Sequence, residues 1–310
     1  MKEFDLIARL TRALPGHDSV TVGAGDDCAV LNLGLGDREL LFKTDAIVEG
    51  IHFTRETPPQ KVGRKALARC LSDIAAMAGT PTCALVTLAL PREFDVQFIE
   101  SIYAGMSEIA RLHGVGIAGG ETTTNPGCIL ISIALIGTVP KGKAVLRSGA
   151  RAGDAIFVTG QLGGSLDRKH LDFEPRLAEA RWLAEHFNIH SMLDVSDGLA
   201  GDLRHLLHAS GVGAELHSAA IPISRDAKLR ARDKSSPKPP LLAALTDGED
   251  FELLFTVASK TAVPLLDAWK KQFSSVKLSC IGKITATPGL KLRDERGVRE
   301  LGAKGYEHFS

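Results

Sequence analysis

One local pattern constrains this chain more than any single residue: a short apolar run that stops at a carboxylate, next to glycine. It is clearest in Leu41 to Phe53, LFKTDAIVEGIHF, where Leu41, Phe42 and Thr44 precede Asp45 and the imidazole of His52 follows after Gly50. Strand ends of this kind are where mixed α/β sheets hold ligands, because a rigid strand fixes the side chain and the loop beside it admits the ligand. Upstream, Gly25-Asp26-Asp27-Cys28-Ala-Val30 is another acidic turn entering an apolar strand. Asp27 and Asp45 so placed could share one pool of cations. The same grammar returns at Met192-Leu-Asp194-Val-Ser196-Asp197-Gly198 and at Asp247-Gly-Glu249-Asp-Phe-Glu252-Leu253.

Composition narrows the class. The 310 residues suffice for two domains, and 44% hydrophobic with 24% charged residues is typical of a water-soluble globular chain. Lys plus Arg and Asp plus Glu both number 37, so no basic excess argues for nucleic acid or an anionic membrane. Five scattered cysteines, Cys28, Cys70, Cys83, Cys128 and Cys280, form no C-x-x-C pair, which argues against a disulfide framework or zinc knuckle and suits a reducing compartment. No apolar run approaches the roughly 20 residues needed to span a bilayer. The opening MKEFDLIARLTRALPG reads as an amphipathic helix rather than a signal peptide, so the expected location is the cytoplasm.

Periodicity then orders the elements. Val20 to Val30 and Glu39 to Thr44 read as strands. Lys61 to Ala78 reads as a helix from the spacing of Val62, Ala66, Leu67, Cys70, Leu71 and Ile74, with Gly79 as its stop. Asp73 lies inside that helix beside the apolar stripe, and pattern alone leaves open whether it is an ordinary solvated acid. Cys83 to Leu90 is a strand and Asp95 to His113 a helix carrying Tyr103, a core aromatic or a ligand contact. Val115 to Ala118 reads as a strand ending in Gly119-Gly120-Glu121, where a backbone without side chains could approach phosphate. After the strand Ile129 to Gly137, two βαβ-like halves meet near Arg147-Ser-Gly149. Asp154 to Thr159 opens the second half, Arg176 to Phe187 is a helix, and Ser196 or Asp197 is placed to cap the helix Leu199 to Ser210. Arg225 to Pro240 reads as a surface loop without chemistry. Leu253 to Val257, a helix Leu265 to Phe273 and a last strand Leu278 to Ile284 finish the pattern.

Asp27, Asp45, Asp73, Glu121, Asp194 and Asp197 come from separate segments. If they converge they cannot all stay ionised without cations between them. Oxygen ligands with few histidines and no paired cysteines select Mg²⁺ over zinc, and Mg²⁺ held by a few carboxylates completes its shell with water and phosphate oxygens. That set points to phosphoryl transfer from ATP as the expected chemistry. Gly137-Thr-Val-Pro-Lys-Gly142-Lys143-Ala144 imitates a P-loop, but Ala144 stands where Ser or Thr is required, and no kinase H-R-D or D-F-G set is present.

These motifs, with Thr44-Asp45, Glu49-Gly-Ile-His52-Phe53, Leu71-Ser-Asp73-Ile-Ala-Ala-Met77, Gly119-Gly-Glu121-Thr-Thr123 and the Gly305-Tyr306-Glu-His-Phe309 tail, resemble in order the thiamine-monophosphate kinases. That family is part of the aminoimidazole ribonucleotide synthetase superfamily. The resemblance implies transfer of the ATP γ-phosphoryl to thiamine monophosphate, with several Mg²⁺ ions, in a homodimer. It implies a two-domain α+β or α/β fold. Residues 1–150 would bind ATP and Mg²⁺ and form a mixed sheet closing a β-barrel with its symmetry mate, and residues 151–310 would form an α/β domain completing the active site. Carried over by position, Asp27, Lys43, Thr44, Asp45, Asp73, Glu121, Asp194 and Asp197 would hold metal. Tyr103, Gly120, Glu121, Arg147 and Ser196 would contact ATP, and His52, Glu249 and Tyr306 the thiamine phosphate.

The chain departs from the family pattern at three of these places. Lys43 replaces a small hydroxyl residue, so that its backbone carbonyl rather than its side chain would serve a metal. Glu121 replaces Asp, and Asp247 replaces a glycine. The resemblance also leaves two other readings, a sister enzyme of the superfamily acting on a different small acceptor and a nucleotide-binding scaffold without turnover.

Overall fold

The chain begins with α1 (Glu3–Thr11) and continues into two units, seen in a computed structural model that describes residues 3–232, 238–302 and 305–306. The N-terminal unit comprises Ser19–Ala144 with Leu171–Leu177, and the C-terminal unit comprises the rest of the described chain.

In the N-terminal unit the strands are β1 (Val20–Val22), β2 (Ala29–Leu31) and β3 (Arg38–Val48). Then follow α2 (Pro59–Ala76), β4 (Thr80–Leu90), α3 (Val96–Leu112), β5 (Gly116–Thr124) and β6 (Leu130–Pro140). They form one six-stranded sheet in the order β1-β2-β3-β6-β4-β5, in which β4 and β5 are parallel and the other neighbours antiparallel. Strand β6 explains the layering. Ile131, Ile133, Leu135 and Val139 alternate onto a buried face, and Ser132, Ala134, Ile136 and Thr138 onto a half-open one. α2 lies on β3 and β6 and is packed in turn by α3. Burial therefore exceeds the stripe expected from periodicity: Val62, Leu67, Cys70, Leu71 and Ile74 are buried, and so are Lys65, Ser72 and Asp73. Asp73 is thus no solvated helix acid. α2 and α3 cross with glycine at the contact, because a Cβ on Gly63 would lie 1.8 Å from the Ile102 carbonyl oxygen and one on Gly105 1.9 Å from that of Gln60.

Three sequence expectations change here. The Val20–Val30 strand is two strands separated by the acidic turn. β3 continues past Asp45 to Val48, since its ladder with β6 runs unbroken from Arg38↔Pro140 to Val48↔Leu130, so Asp45 is a mid-strand residue. Gly119-Gly120 does not end its strand either. β5 runs on to Thr124 through a register shift opposite Ala84 and Val86, and at Gly120 (φ +152) a Cβ would strike the Val86 carbonyl oxygen at 1.7 Å.

The C-terminal unit contains β7 (Ala155–Thr159), α4 (Leu177–His186), β8 (Ile189–Asp194), α5 (Leu199–Ser210), β9 (Gly213–His217) and α6 (Arg225–Arg230). It continues with α7 (Pro240–Thr246), β10 (Leu253–Val257), α8 (Ala262–Gln272), β11 (Leu278–Thr285), β12 (Gly289–Asp294) and β13 (Gly297–Glu300). Its sheet runs β13-β12-β9-β11-β7-β10-β8, with β12 parallel to β9 and the other pairs antiparallel. Val158, Leu193, Leu203, Leu206, Leu254 and Ile281 belong to a core in which α5 packs on the sheet. β11 is not the last strand: β12 and β13 follow. Of the two βαβ-like halves expected, the N-terminal one forms as β4-α3-β5 with parallel strands, whereas in the C-terminal unit the one parallel pair among the described residues, β9 and β12, is separated by two other strands and three α-helices. The stretch read as an inert loop contains α6 and the start of α7. Among the described residues no helix is long and apolar enough to cross a membrane.

Candidate functional site

Strand alternation places Lys43 and Asp45 on the face of β3 that meets α2, and Thr44 on the opposite, exposed face. On α2, Arg69 and Asp73 are one turn apart on the side that meets β3. The two elements therefore meet as two rungs, Lys43 Nζ to Asp73 Oδ1 at 3.1 Å and Arg69 Nε to Asp45 Oδ2 at 3.0 Å. Asp27, 1% exposed, brings a carboxylate oxygen to within 4.8 Å of one from Asp73. It is held by the turn that precedes β2, where Asp26 Oδ1 accepts from the Asp27 N–H and Met77 Sδ accepts from the Cys28 N–H. Burial pulls the Lys43 pKa down, but Asp73, Asp45 and Asp27 outweigh it and hold the ammonium firmly protonated. The thiols of Cys28 and Cys70 are pushed up by burial first and by Asp73 and Asp45 next, so both stay neutral and offer no thiolate ligand.

His52 closes the turn after β3. Its Nδ1 accepts from the Val48 N–H at 3.1 Å, which places the ring proton of the neutral form on Nε2, and its carbonyl accepts from Lys65 Nζ at 2.9 Å. Glu49 beside it is tied to Arg55 and to the Ile129 N–H. Gly120 and Glu121 lie on the exposed edge strand β5, Glu121 in register with Thr87. Tyr103 is half-buried on α3, and burial raises its phenol pKa.

In the C-terminal unit Asp194 ends β8, buried, as its apolar approach predicts. The turn after it is bound on one side by the 249–252 segment: Glu249 N–H donates to the Ser196 carbonyl, Phe251 N–H to that of Val195, and Val195 N–H to that of Glu252. Tyr306 N–H donates to the Asp197 carbonyl at 2.9 Å, so the tail reaches the same turn, while His308 and Phe309 lie outside the described residues. Neither Ser196 nor Asp197 caps α5. Its N-cap is Gly198 (φ +96), and the Asp197 N–H is instead taken by Asp202 Oδ2 at 3.0 Å. Burial, then the charges of Asp197 and Asp194, raise the Asp202 carboxyl well above the usual range, with the Asp197 N–H and Arg147 opposing. Asp194, Ser196, Asp197, Arg147, Glu249 and Tyr306, expected from sequence, are thus neighbours of one turn. Asp202 was not expected there, because an acid in the first turn of an amphipathic helix reads as solvated.

The acidic 247–252 segment is held as a strut. Glu249 (φ +53) and Phe251 (φ +50) adopt left-handed backbone, a strain that surrounding contacts must hold in place. Glu249 Oε2 lies 3.0 Å from His170 Nδ1. Asp250 accepts from the Gly163 N–H, Asp247 from the Gly164 N–H, and Glu252 from Thr159 Oγ1 and Lys169 Nζ, so three acids bind the 159–164 turn. Asp247 also pairs with Arg230 and Lys238. The 225–240 stretch therefore does hold a charge of this strut, contrary to the inert loop expected. His170, Lys169 and Arg69 were missed as well. A strand K-x-D facing a helix R-x-x-x-D is the signal that would have found the Arg69 rung.

The chain matches two families end to end: AIR synthase related protein, N-terminal domain, over residues 25–139, and AIR synthase related protein, C-terminal domain, over residues 146–295. It is 42% identical to the thiamine-monophosphate kinase of Rhodopirellula baltica over 288 residues, 90% of this chain and 87% of that one. With that of Escherichia coli K12 it shares 36% over 332 residues, 99% and 98% of the two chains. Among solved structures, AaThiL complexed with AMPPCP and TMP superposes with a TM-score of 0.83 at 30% identity, covering 99% of this chain and 97% of the other. With buried carboxylates in both units and relatives matched over nearly their whole length, the chain belongs to the thiamine-monophosphate kinase family of AIR synthase-related proteins.

Proposed function

We propose that this kinase transfers the γ-phosphoryl group of ATP to the phosphate of thiamine monophosphate by direct in-line attack, with magnesium, to give thiamine diphosphate. The observation that carries the reading is the likeness, over almost the whole chain, to kinases of that name and to a structure holding an ATP analogue with TMP. The acceptor phosphate, with a second pKa near 6, is already largely ionised at neutral pH and needs no general base. The barrier is repulsion between two polyanions, and bound magnesium would neutralise phosphate oxygens and align them. The donor set fits that ion: Asp27 and Asp73 are buried carboxylates within 4.8 Å of each other, and the nearby thiols stay protonated. Candidate ligands are Asp27, Asp45, Asp73, Glu121 and the Lys43 carbonyl in the N-terminal unit, with Thr44 serving only through its backbone because its side chain lies on the other face of β3, and Asp194 and Asp197 in the C-terminal unit. Tyr103, Gly120, Arg147 and Ser196 are assigned to ATP. His52, Glu249 and Tyr306 are assigned to the thiamine phosphate, His52 as a positioning group.

The same proposal includes a homodimer working in the cytoplasm. The outer face of the N-terminal sheet exposes Phe42 and Leu85, 46% and 50% accessible, with Ile136 paired to Phe42 across the ladder. A second copy laid on that face would cover them and close the open sheet as a barrel. The direct test is chromatography of thiamine diphosphate from ATP, Mg²⁺ and thiamine monophosphate, with Asp45→Asn and Asp73→Asn alongside. Both variants are expected to lose nearly all turnover, and full activity in both would overturn the ligand assignment.

A further inference from the structure

The side chain of Lys43 lies within the carboxylate cluster of the N-terminal unit. Its Nζ stands 3.1 Å from Asp73 Oδ1, and Asp45 and Asp27 are the next charges acting on it. We propose that the Lys43 ammonium is a resident cation that fills one cation position beside Asp73, so that this chain gathers one divalent ion fewer than its carboxylates alone would hold. The inference rests on the magnesium reading above and deepens it.

Three features support it. The ammonium is a compact point charge on a flexible stem, so it suits the place of an ion and repels a dication from the position it fills, leaving Asp73 its other oxygen. The lysine is fixed from its own strand: Leu41 and Ile47, on the same face of β3, are 0% and 1% exposed, so that face is clamped against α2. Arg69 does for Asp45 what Lys43 does for Asp73, so both acids of the two rungs carry a protein cation. Buried carboxylates this close would otherwise resist ionisation. With Lys43 present, Asp73 has a cationic partner at any magnesium concentration.

The test is a count of bound Mn²⁺, read from the free-ion electron paramagnetic resonance signal, in the full chain and in Lys43→Ser, Lys43→Met and Lys43→Arg, each without nucleotide. Lys43→Ser and Lys43→Met are expected to bind one more Mn²⁺ per chain than the unaltered protein, and Lys43→Arg the same number. In the kinase assay the Mg²⁺ needed for half-maximal rate should rise about tenfold in both neutral variants, because a buried acid has lost its permanent partner. Neutral variants that fold only when Mn²⁺ is supplied would equally support the exchange of ammonium for metal. An unchanged Mn²⁺ count in the neutral variants would overturn it, as would failure to fold even at saturating Mn²⁺. If the unaltered chain binds no Mn²⁺ with or without ATP, the magnesium reading itself falls, a result distinguishable from failure of the Lys43 role alone.

Discussion

Asp250 sets up a sharp test of how the C-terminal unit is held. Its carboxyl is 1% exposed and accepts from the Gly163 N–H through both oxygens, at 3.0 and 2.9 Å. Burial raises its pKa from 3.8 to about 7, with Glu252 and Asp247 pushing the same way and Lys169 and the Gly163 N–H opposing. A carboxyl that holds its proton more tightly when folded stabilises the fold fully below the unfolded value, and that stabilisation fades as pH rises through the folded value. Its contribution should therefore decline between about pH 4 and pH 7 and change little above, a total of about 4 kcal/mol. Asp250→Asn keeps an acceptor for the Gly163 N–H and abolishes the titration. The difference in unfolding free energy between variant and unaltered chain should then shift in the variant's favour by about 2 to 3 kcal/mol from pH 5 to pH 8. Both tryptophans, Trp182 on α4 and Trp269 on α8, lie in this unit, so urea unfolding followed by their fluorescence reports it selectively. Parallel pH dependences for the two proteins would refute the reasoning, since only a titrating Asp250 distinguishes them.

Gly105→Ala should destabilise the N-terminal unit by about 2 kcal/mol or more, because its Cβ would collide with the Gln60 backbone where α2 and α3 touch; circular dichroism melts showing no loss would disprove that close approach. Phe42→Glu is expected to leave the chain monomeric in light scattering while its melting temperature changes little, and an unaltered dimer would place the interface elsewhere. His52→Gln should raise the KM for thiamine monophosphate with a smaller effect on kcat, as fits a positioning group; a loss of kcat at unchanged KM would assign it to the chemistry.

How much of this was legible beforehand depends on the range of the interaction concerned. Asp194 was placed correctly at a strand end because an apolar run ending in a carboxylate is written locally, and the stripe of α2 was found because its period is a property of neighbours in sequence. Asp45 was misplaced at a strand end, since the ladder partner that carries β3 on to Val48 comes from β6, far along the chain. Similarly, Asp247 reads as a lost glycine until Arg230, Lys238 and the Gly164 N–H are seen around it.

The amino-acid order alone determined which segments are apolar on one face, where acids interrupt them, and hence the family and the phosphoryl-transfer chemistry. Only the tertiary structure decided which charges answer one another. Lys43 and Asp73 are joined by packing between a strand and a helix, and Asp202 reaches the Asp197 N–H because α5 begins without a side-chain cap. Local patterns follow from the backbone's own periodicities. Ion pairing follows from distance, and distance between remote residues exists only once the core has formed.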